Sequence, residues 1–467
     1  MTQTDLTREL NHQQRQVVEA PAGPMLVLAG AGTGKTRVIT ARIARLIRDG
    51  TAAEHILALT FTRKAADEMR HRLKLLLGSR AGGLTVCTFH ALGFRIMREQ
   101  CGRIREDVRL RVITEEEQRC VISASLQASG FSDDVGRVQA AISRSKNQGL
   151  CPEECRRSAA NDFQQVVADA YTRYQAALAE TGSIDIDDMV LRPVELLARD
   201  ADVRSRYQRR WPTVLIDEYQ DTNEGQDRLA HLILGSERDV CVVGDDDQSI
   251  YSFRGADVER IRRFSERVPG TRTVTLESNY RSRAPIVALA NAVISKAANR
   301  CPKRLTAEAG SGNPVEWMIA ADETEERQFV AECLRRRSST TKWSSMAVLV
   351  RSHKLVGSFS REFRRAGIPC ATGRANADGV AVLTLHQSKG LEFSIVVLPA
   401  MEDGTIPHGN SEGDMDAVEE ERRLCYVGIT RARERLLITS ARRRGTIPAE
   451  PSCFLTDPGS LGLFRWL

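Results

Sequence analysis

Residues 25–37 read Met-Leu-Val-Leu-Ala-Gly-Ala-Gly-Thr-Gly-Lys-Thr-Arg. A short apolar run, Met25–Ala29, is followed by alternating glycines and then by a helical pattern that opens near Arg37. Strand, glycine loop and helix in that order form the context that a phosphate-cradling loop requires. Gly30, Gly32 and Gly34 let the backbone turn its amides inward around bound phosphates, with Ala29, Ala31 and Thr33 completing the cradle. The N-terminus of the following helix adds partial positive charge. In that setting Lys35 is the cation for the β and γ phosphates, and the Thr36 hydroxyl is a ligand for Mg2+. Ala29 stands where the general pattern has glycine.

Working outward, further short apolar segments stand out at Thr213–Asp217, Val240–Gly244, Ala347–Val350, Val380–Leu385 and Ile395–Pro399. Each is bounded by glycine, proline or charged residues, as expected for strands of a parallel sheet buried on both faces. Helical stretches such as Arg37–Arg48 and Arg63–Leu77 alternate with them, so the expected class is α/β with right-handed crossovers. Residues 103–210 differ. They are rich in Ala, Gln, Arg and Glu, Gln164–Glu180 has helical periodicity, and the segment reads as a helical insertion. Beyond residue 440 come an arginine run, Arg442 to Arg444, and then Pro448, Pro451 and Pro458, which read as a solvated tail, 441–467.

A chain of 467 residues is too long for one ordinary core, so two or more domains are expected. With 42% apolar and 27% charged residues, the composition is that of a soluble globular protein. No apolar run approaches the length of a membrane span, and Met1 to Leu10 lacks a secretory pattern, so the expectation is a cytoplasmic protein with no membrane partner. The net charge of +6 is compatible with a polyanionic partner. Arginine greatly outnumbers lysine, which suits bidentate phosphate contacts but also fits a GC-rich genome. The 11 cysteines match no zinc-binding spacing and are expected as free thiols.

Val214 to Ile216 lead into Asp217 and Glu218, an apolar strand that ends in two acids. Ligands of open α/β sheets bind at the carboxyl ends of strands. Asp217 suits a Mg2+ contact, and Glu218 suits a general base for an attacking water.

Several stretches now resemble the motifs of UvrD/Rep/PcrA-like superfamily 1A DNA helicases. Residues 215–223, Leu-Ile-Asp-Glu-Tyr-Gln-Asp-Thr-Asn, resemble the family's carboxylate box, and 242–256 its motif III, with Phe253 where the family usually has Trp. Residues 276–282, 384–393 and 419–432 resemble motifs IV, V and VI. Leu10, Asn11 and Gln14 fit the Q motif, 60–66 fits motif Ia and 88–92 fits motif Ib, all in family order.

The resemblance implies two RecA-like domains with ATP and Mg2+ between them. The first, 1A, would span 1–102 and 211–279, the helical 1B insertion 103–210, and the second, 2A, 280–440. It implies that Gln14 reads the adenine edge, that Arg37 and Tyr280 sandwich the base and that Glu392 holds the ribose. Gln248 would sense the γ-phosphate, and Arg281 and Arg431 would act as arginine fingers. For single-stranded DNA, Phe61, Tyr251 and Phe253 are candidate stacking platforms, while Thr62, Thr88, His90, Thr384 and His386 are candidate phosphate contacts. Only 99 residues, 283–381, separate Ser282 from Val382, so the family's 2B domain is expected to be reduced to a linker at 373–379.

The implied function is a 3′→5′ translocase and helicase on single-stranded DNA and single-strand/duplex junctions, in DNA repair, replication or recombination. A competing reading is the motor subunit of a nuclease-coupled or anti-phage defence complex, with a nuclease or repair protein as partner and little unwinding alone. A third is an ATP-hydrolysing switch that binds nucleic acid without net movement.

Overall fold

The computed structural model describes residues 9–100, 111–127, 134–235, 239–373, 378–411, 413–456 and 462–467. The chain forms two compact units. The first holds residues up to 27, 36–244 and 251–274; the second holds 28–35, 245–250 and 275–467.

The first unit is built on a six-stranded sheet of β1 (Met25–Ala29), β2 (Ile56–Thr60), β3 (Thr85–Thr88), β4 (Thr213–Ile216), β5 (Asp239–Gly244) and β6 (Arg272–Leu276). Their spatial order is β3-β2-β4-β5-β1-β6. β2 pairs in parallel with β3 and β4, and β4 with β5. Every residue of β1, β2 and β4 is buried, which is why these runs are continuously apolar instead of alternating. The ends of β1 and β6 run on into the second unit.

The first helices are α1 (His12–Glu19), α2 (Lys35–Arg48), α3 (Arg63–Leu77) and α4 (Phe89–Glu99). Thr62 and Thr88, at the carboxyl ends of β2 and β3, cap α3 and α4 by accepting from Ala65 N at 3.1 Å and Ala91 N at 3.2 Å. α2 opens at Lys35, two residues earlier than the sequence pattern suggests. Lys35 and Thr36 therefore lie in the first turn, where backbone amides have no intrahelical partner.

Between β3 and β4 the described residues are mostly helical: α5 (Glu115–Gln127), α6 (Val135–Asn147), α7 (Pro152–Ser158), α8 (Asp162–Glu180), α9 (Asp188–Arg199) and α10 (Ala201–Arg210). Residues 103–110 and 128–133 of the expected insertion lie outside the described residues. Inside it, Lys146 is fully buried and bonds Asp185 at 2.6 Å and Asp188 at 3.0 Å. α9 crosses α4 closely at Gly93, where an added Cβ would stand 2.9 Å from the Met189 carbonyl carbon. The absence of a side chain at Gly93 permits that crossing. α11 (Glu224–Ile233) follows β4, capped by Asn223.

The second unit carries a seven-stranded sheet: β7 (Val315–Ala320), β8 (Met346–Val350), β9 (Cys370–Thr372), β10 (Val380–Thr384), β11 (Phe393–Leu398), β12 (Ala432–Ala441) and β13 (Phe464–Trp466). The order is β9-β10-β8-β11-β12-β7-β13, parallel throughout. Its helices are α12 (Ala284–Ile294), α13 (Glu323–Arg337), α14 (His353–Arg365) and α15 (Met415–Ile429). Residues 374–377 of the expected linker lie outside the described residues.

The segment read as a tail is structured where it is described. β13 forms the edge of the second sheet, and Trp466 stacks on Trp317 with ring centroids 4.8 Å apart. Arg444, read as solvated, donates to Glu326 at 2.7 Å and to Glu402 at 2.5 Å. Two buried carboxylates draw that guanidinium inward. The ten described cysteines are free. Among the described residues no helix is long and apolar enough to cross a membrane.

Candidate nucleotide and nucleic-acid sites

In the second unit the glycine loop is stitched to the segment that follows β6. Asn279 Nδ2 donates to Ala31 O at 2.6 Å, and Tyr280 N donates to Gly32 O at 3.0 Å. Gly30 N reaches Leu276 O at 3.3 Å. Gly32 and Gly34 have φ of 71° and 87°. A Cβ on Gly32 would lie 2.6 Å from Asn279 Nδ2 and 2.8 Å from Arg281 Cβ, so that position needs glycine for both backbone conformation and space. Ala31 N also points at the buried Tyr426 hydroxyl, 3.4 Å away, whose pKa burial pushes well above the usual phenol value.

Arg281 therefore lies against the loop that ends in Lys35. Its Nε donates to Glu392 at 2.7 Å and its Nη1 to Thr430 O at 3.2 Å. Burial raises the Glu392 carboxyl, and the guanidiniums of Arg281 and Arg433 more than reverse this, leaving it below its ordinary range. Tyr280 is half exposed.

Arg431 is almost fully buried. Its Nε donates to Val427 O at 3.0 Å, its Nη1 to Leu391 O at 3.2 Å and its Nη2 to Gln248 Oε1 at 3.4 Å. Gln248 in turn donates to Asp245 Oδ2 at 2.5 Å and accepts from Lys389 Nζ at 2.6 Å through its carbonyl. Arg423 Nε holds the next carbonyl, of Ser249, at 2.7 Å.

Asp245, Asp246 and Asp247 form a buried carboxylate group with metal-like spacing. A side-chain cation occupies it. Lys303 Nζ contacts Asp246 and lies 3.1 Å from Asp245 and 2.8 Å from Asp247, while Arg300 pairs with Asp247 at 2.6 and 3.0 Å.

The two predicted contacts of the second unit lie at the carboxyl end of β10. Thr384 Oγ1 accepts from Gln387 N at 3.3 Å, and His386 opens the short turn His386–Ser388.

In the first unit the two acids follow β4. Asp217 is buried, its N donating to Leu59 O at 2.9 Å, and its Oδ1 accepts from Glu218 N at 3.0 Å. Glu218 adopts φ 54° and ψ 45°, a left-handed conformation that costs a non-glycine residue about 1–3 kcal/mol. Gln220 Nε2 holds its carboxylate at 2.5 Å, and Gly244 leaves room for the Gln220 side chain. Tyr219 is anchored by its hydroxyl on Asp227, which also binds Arg260 at 3.2 Å and Arg267 at 2.5 Å.

Elsewhere in this unit, Gln14 closes a capping box with Asn11, and Arg37 pairs with Glu9 at 2.6 Å.

Phe61 and Tyr251 stack with centroids 5.3 Å apart and planes 19° apart. Phe253 meets Tyr251 edge-on at 5.9 Å and is 63% exposed. Arg254 lies over both rings, 5.4 and 5.6 Å from their centroids. Phe61, Thr62, His90 and Phe253 line one cavity of about 510 Å3, together with Arg144, Asn147, Asn223 and Arg254. Burial, reinforced by Arg63, holds the His90 imidazole below its ordinary pKa, so it is neutral near pH 7. Thr88 is buried at the start of α4.

Sequence reasoning missed Arg144, Asn147, Lys303 and Arg300, because nothing in their local sequence marks them. Arg254, Lys389 and Arg423 were missed although they fall inside quoted motifs, which is the signal that finds them.

Comparison with known proteins also divides the chain near residue 270. Residues 10–269 match the UvrD/REP helicase N-terminal domain. The UvrD-like helicase C-terminal domain matches in two pieces, 274–376 and 371–443. The ATP-dependent DNA helicase PcrA of Leuconostoc citreum is 34% identical over 462 residues, covering 97% of this chain and 60% of that protein. PcrA of Staphylococcus epidermidis is 37% identical over 372 residues, covering 78% of this chain and 51% of that protein. The chain thus spans roughly half to three fifths of the length of these relatives. With a family match over more than half its length, the chain belongs to the UvrD/REP helicase family.

Proposed function

We propose that the chain is an ATP-driven motor on single-stranded DNA that moves 3′→5′ and opens single-strand/duplex junctions, acting in the cytoplasm in DNA repair, replication or recombination. The observation that carries this reading is one short segment. Gln248 bonds Arg431, and three residues later Tyr251 stacks on Phe61 beside the exposed Phe253. A group suited to sensing phosphate and a platform suited to a base are thus separated by two residues.

In this reading Ala29 to Thr36 hold the phosphates by backbone amides and Lys35, while Gln14, Arg37, Tyr280 and Glu392 hold the nucleoside. Glu218 accepts the proton of the attacking water. Arg281 and Arg431 face the equatorial oxygens of a loose phosphoryl-transfer transition state. To do so Arg281 exchanges its Glu392 partner for phosphate, which couples ribose and phosphate recognition. The Thr36 hydroxyl and the Asp217 carboxylate are hard oxygen donors that fit Mg2+. When bound, Mg2+ neutralises charge on the phosphate oxygens. Phe61, Tyr251 and Phe253 stack bases, and Thr62, Thr88, His90, Thr384 and His386 contact the backbone. In this reading the chain divides into 1A, a 1B insertion and 2A, and the meeting of the two C-terminal matches at 371–376 supports a 2B reduced to a linker.

The test is ATP hydrolysis with and without oligo(dT), together with unwinding of 3′-tailed and 5′-tailed duplexes. DNA-stimulated turnover is expected, falling by about 100-fold or more in Lys35→Ala and Glu218→Gln. Hydrolysis indifferent to single-stranded DNA overturns the reading.

A further inference from the structure

We infer that Asn147, at the end of helix α6, is a positioning residue that relays occupancy of the nucleic-acid cavity to the carboxylate segment 217–223. This rests on the motor reading above and names the route by which DNA would stimulate hydrolysis. The junction is built from side chains. Asn223 Nδ2 donates to Asn147 Oδ1 at 2.6 Å. Asn147 Nδ2 donates to Ser143 O at 2.9 Å and to Asp187 Oδ1 at 3.3 Å. Ser143 Oγ closes the group on Asp187 Oδ2 at 2.7 Å. Asn147, Asn223, Ser143 and Asp187 all line the cavity that also presents Phe253 and Arg254. A strand in that cavity lies against the same amides that join α6 to the carboxylate segment.

The motif III turn closes on the junction as well. Gly255 has φ 81°, and a Cβ there would stand 3.4 Å from Asn147 Cβ and 3.7 Å from Asn223 Cβ. A methyl group there would make ordinary van der Waals contact with both side chains, so the motif III turn packs directly beside the junction.

From Asn223 the path to Glu218 is short and stiff. Thr222 N and Oγ1 both donate to Tyr219 O, at 3.2 and 2.7 Å, and Asp221 N donates to Glu218 O at 3.0 Å. Tyr219 is anchored on Asp227, and these bonds tie the turn into one piece. Glu218 sits at its start in a left-handed conformation, which a small displacement of the turn re-aims. On the other side, Asn223 Oδ1 caps α11 through Gln226 N at 2.9 Å. Asn147 thus lies outside the loop and the acids assigned to ATP, and acts on them through Asn223.

The experiment uses the full chain and oligo(dT) as probe. Asn147→Ala is expected to keep its DNA-free hydrolysis rate, while the stimulation factor at saturating oligo(dT), with saturation checked by fluorescence anisotropy, falls by about tenfold or more. Asn147→Gln keeps both the amide acceptor for Asn223 and the amide donor for Asp187 and is expected to restore part of the stimulation. If the alanine variant does not fold, Asn147→Leu fills the same volume without the hydrogen bonds and should lose stimulation likewise. A stimulated wild type with an Asn147→Ala variant equally stimulated at saturating oligo(dT) overturns the inference and leaves the motor reading standing. A wild type that ignores oligo(dT) overturns both.

Discussion

Lys303 shows how a single side chain sets the charge of a whole loop. Asp245, Asp246 and Asp247 are buried side by side, an arrangement that repels itself without a cation. Burial alone lowers a lysine pKa, yet the three carboxylates hold Lys303 well above its ordinary value. Burial would also raise Asp245, and Lys303 and Lys35 bring it below its usual range. Burial pushes Asp247 up, leaving Arg300 to satisfy it from the other side. Replacing Lys303 by the apolar, similarly sized Met leaves buried carboxylates without their central partner. Lys303→Met should lose about 3–5 kcal/mol of stability, the typical effect of breaking a buried ion pair from one side. Urea unfolding followed by circular dichroism measures it, and a loss under about 1 kcal/mol would show that Arg300 suffices.

At the scale of elements, the stretch around β12 carries a proton-linked contribution. Glu326 and Glu402 share Arg444, and Ala441 N at the end of β12 donates to Glu402 at 2.8 Å. Burial and the neighbouring Glu326 push the Glu402 carboxyl up to about 7 from 4.5. A folded-state value above the unfolded one means that this group favours the folded chain fully below pH 4.5 and that the favour is lost as pH rises through about 7. Glu402→Gln removes the titration. The wild type should therefore lose more Tm than Glu402→Gln as pH rises from about 5 to 8, read by differential scanning calorimetry, and parallel pH profiles would refute the assignment. None of this element was legible beforehand. The Arg442 to Arg444 run reads as solvated because its acceptors lie far away in sequence, at Glu326 and Glu402. β13 has three residues, too few for any periodicity, and its pairing with β7 is long-range. By contrast β1, β4, β8, β10 and β11 were legible, because strands buried on both faces must be apolar throughout. The candidate site divides the same way. Lys35, Thr36, Asp217 and Glu218 sit in contiguous strings whose chemistry is local, whereas Asn147 and Lys303 gain theirs from partners 76 and 57 residues away.

For the whole molecule, the order of the chain matters more than its length. It passes between the two units at 27/28, 35/36, 244/245, 250/251 and 274/275. The phosphate loop and the 245–250 loop are thus short excursions into the second unit, each tethered at both ends to the first. Gln248 is the node of the second excursion: its side chain joins Asp245 to Arg431, and its carbonyl holds Lys389. In the proposed motor a shift of Gln248 at Arg431 would reach Tyr251, the ring stacked on Phe61, along the two residues between them. In the proposed motor linkage runs both ways: whatever factor nucleotide applies to the affinity for a strand, the strand applies to the affinity for nucleotide. A non-hydrolysable ATP analogue should shift the oligo(dT) dissociation constant of the wild type by about 5- to 150-fold, the usual span of such couplings. Gln248→Ala keeps the phosphate loop and the aromatic rings but cuts the node, so the shift should collapse to about twofold or less while the analogue still binds. Anisotropy titrations of labelled oligo(dT), with nucleotide binding measured separately by calorimetry, read both quantities. An undiminished shift in Gln248→Ala would place the coupling on another of the five crossings, and the phosphate loop itself would be the next to test.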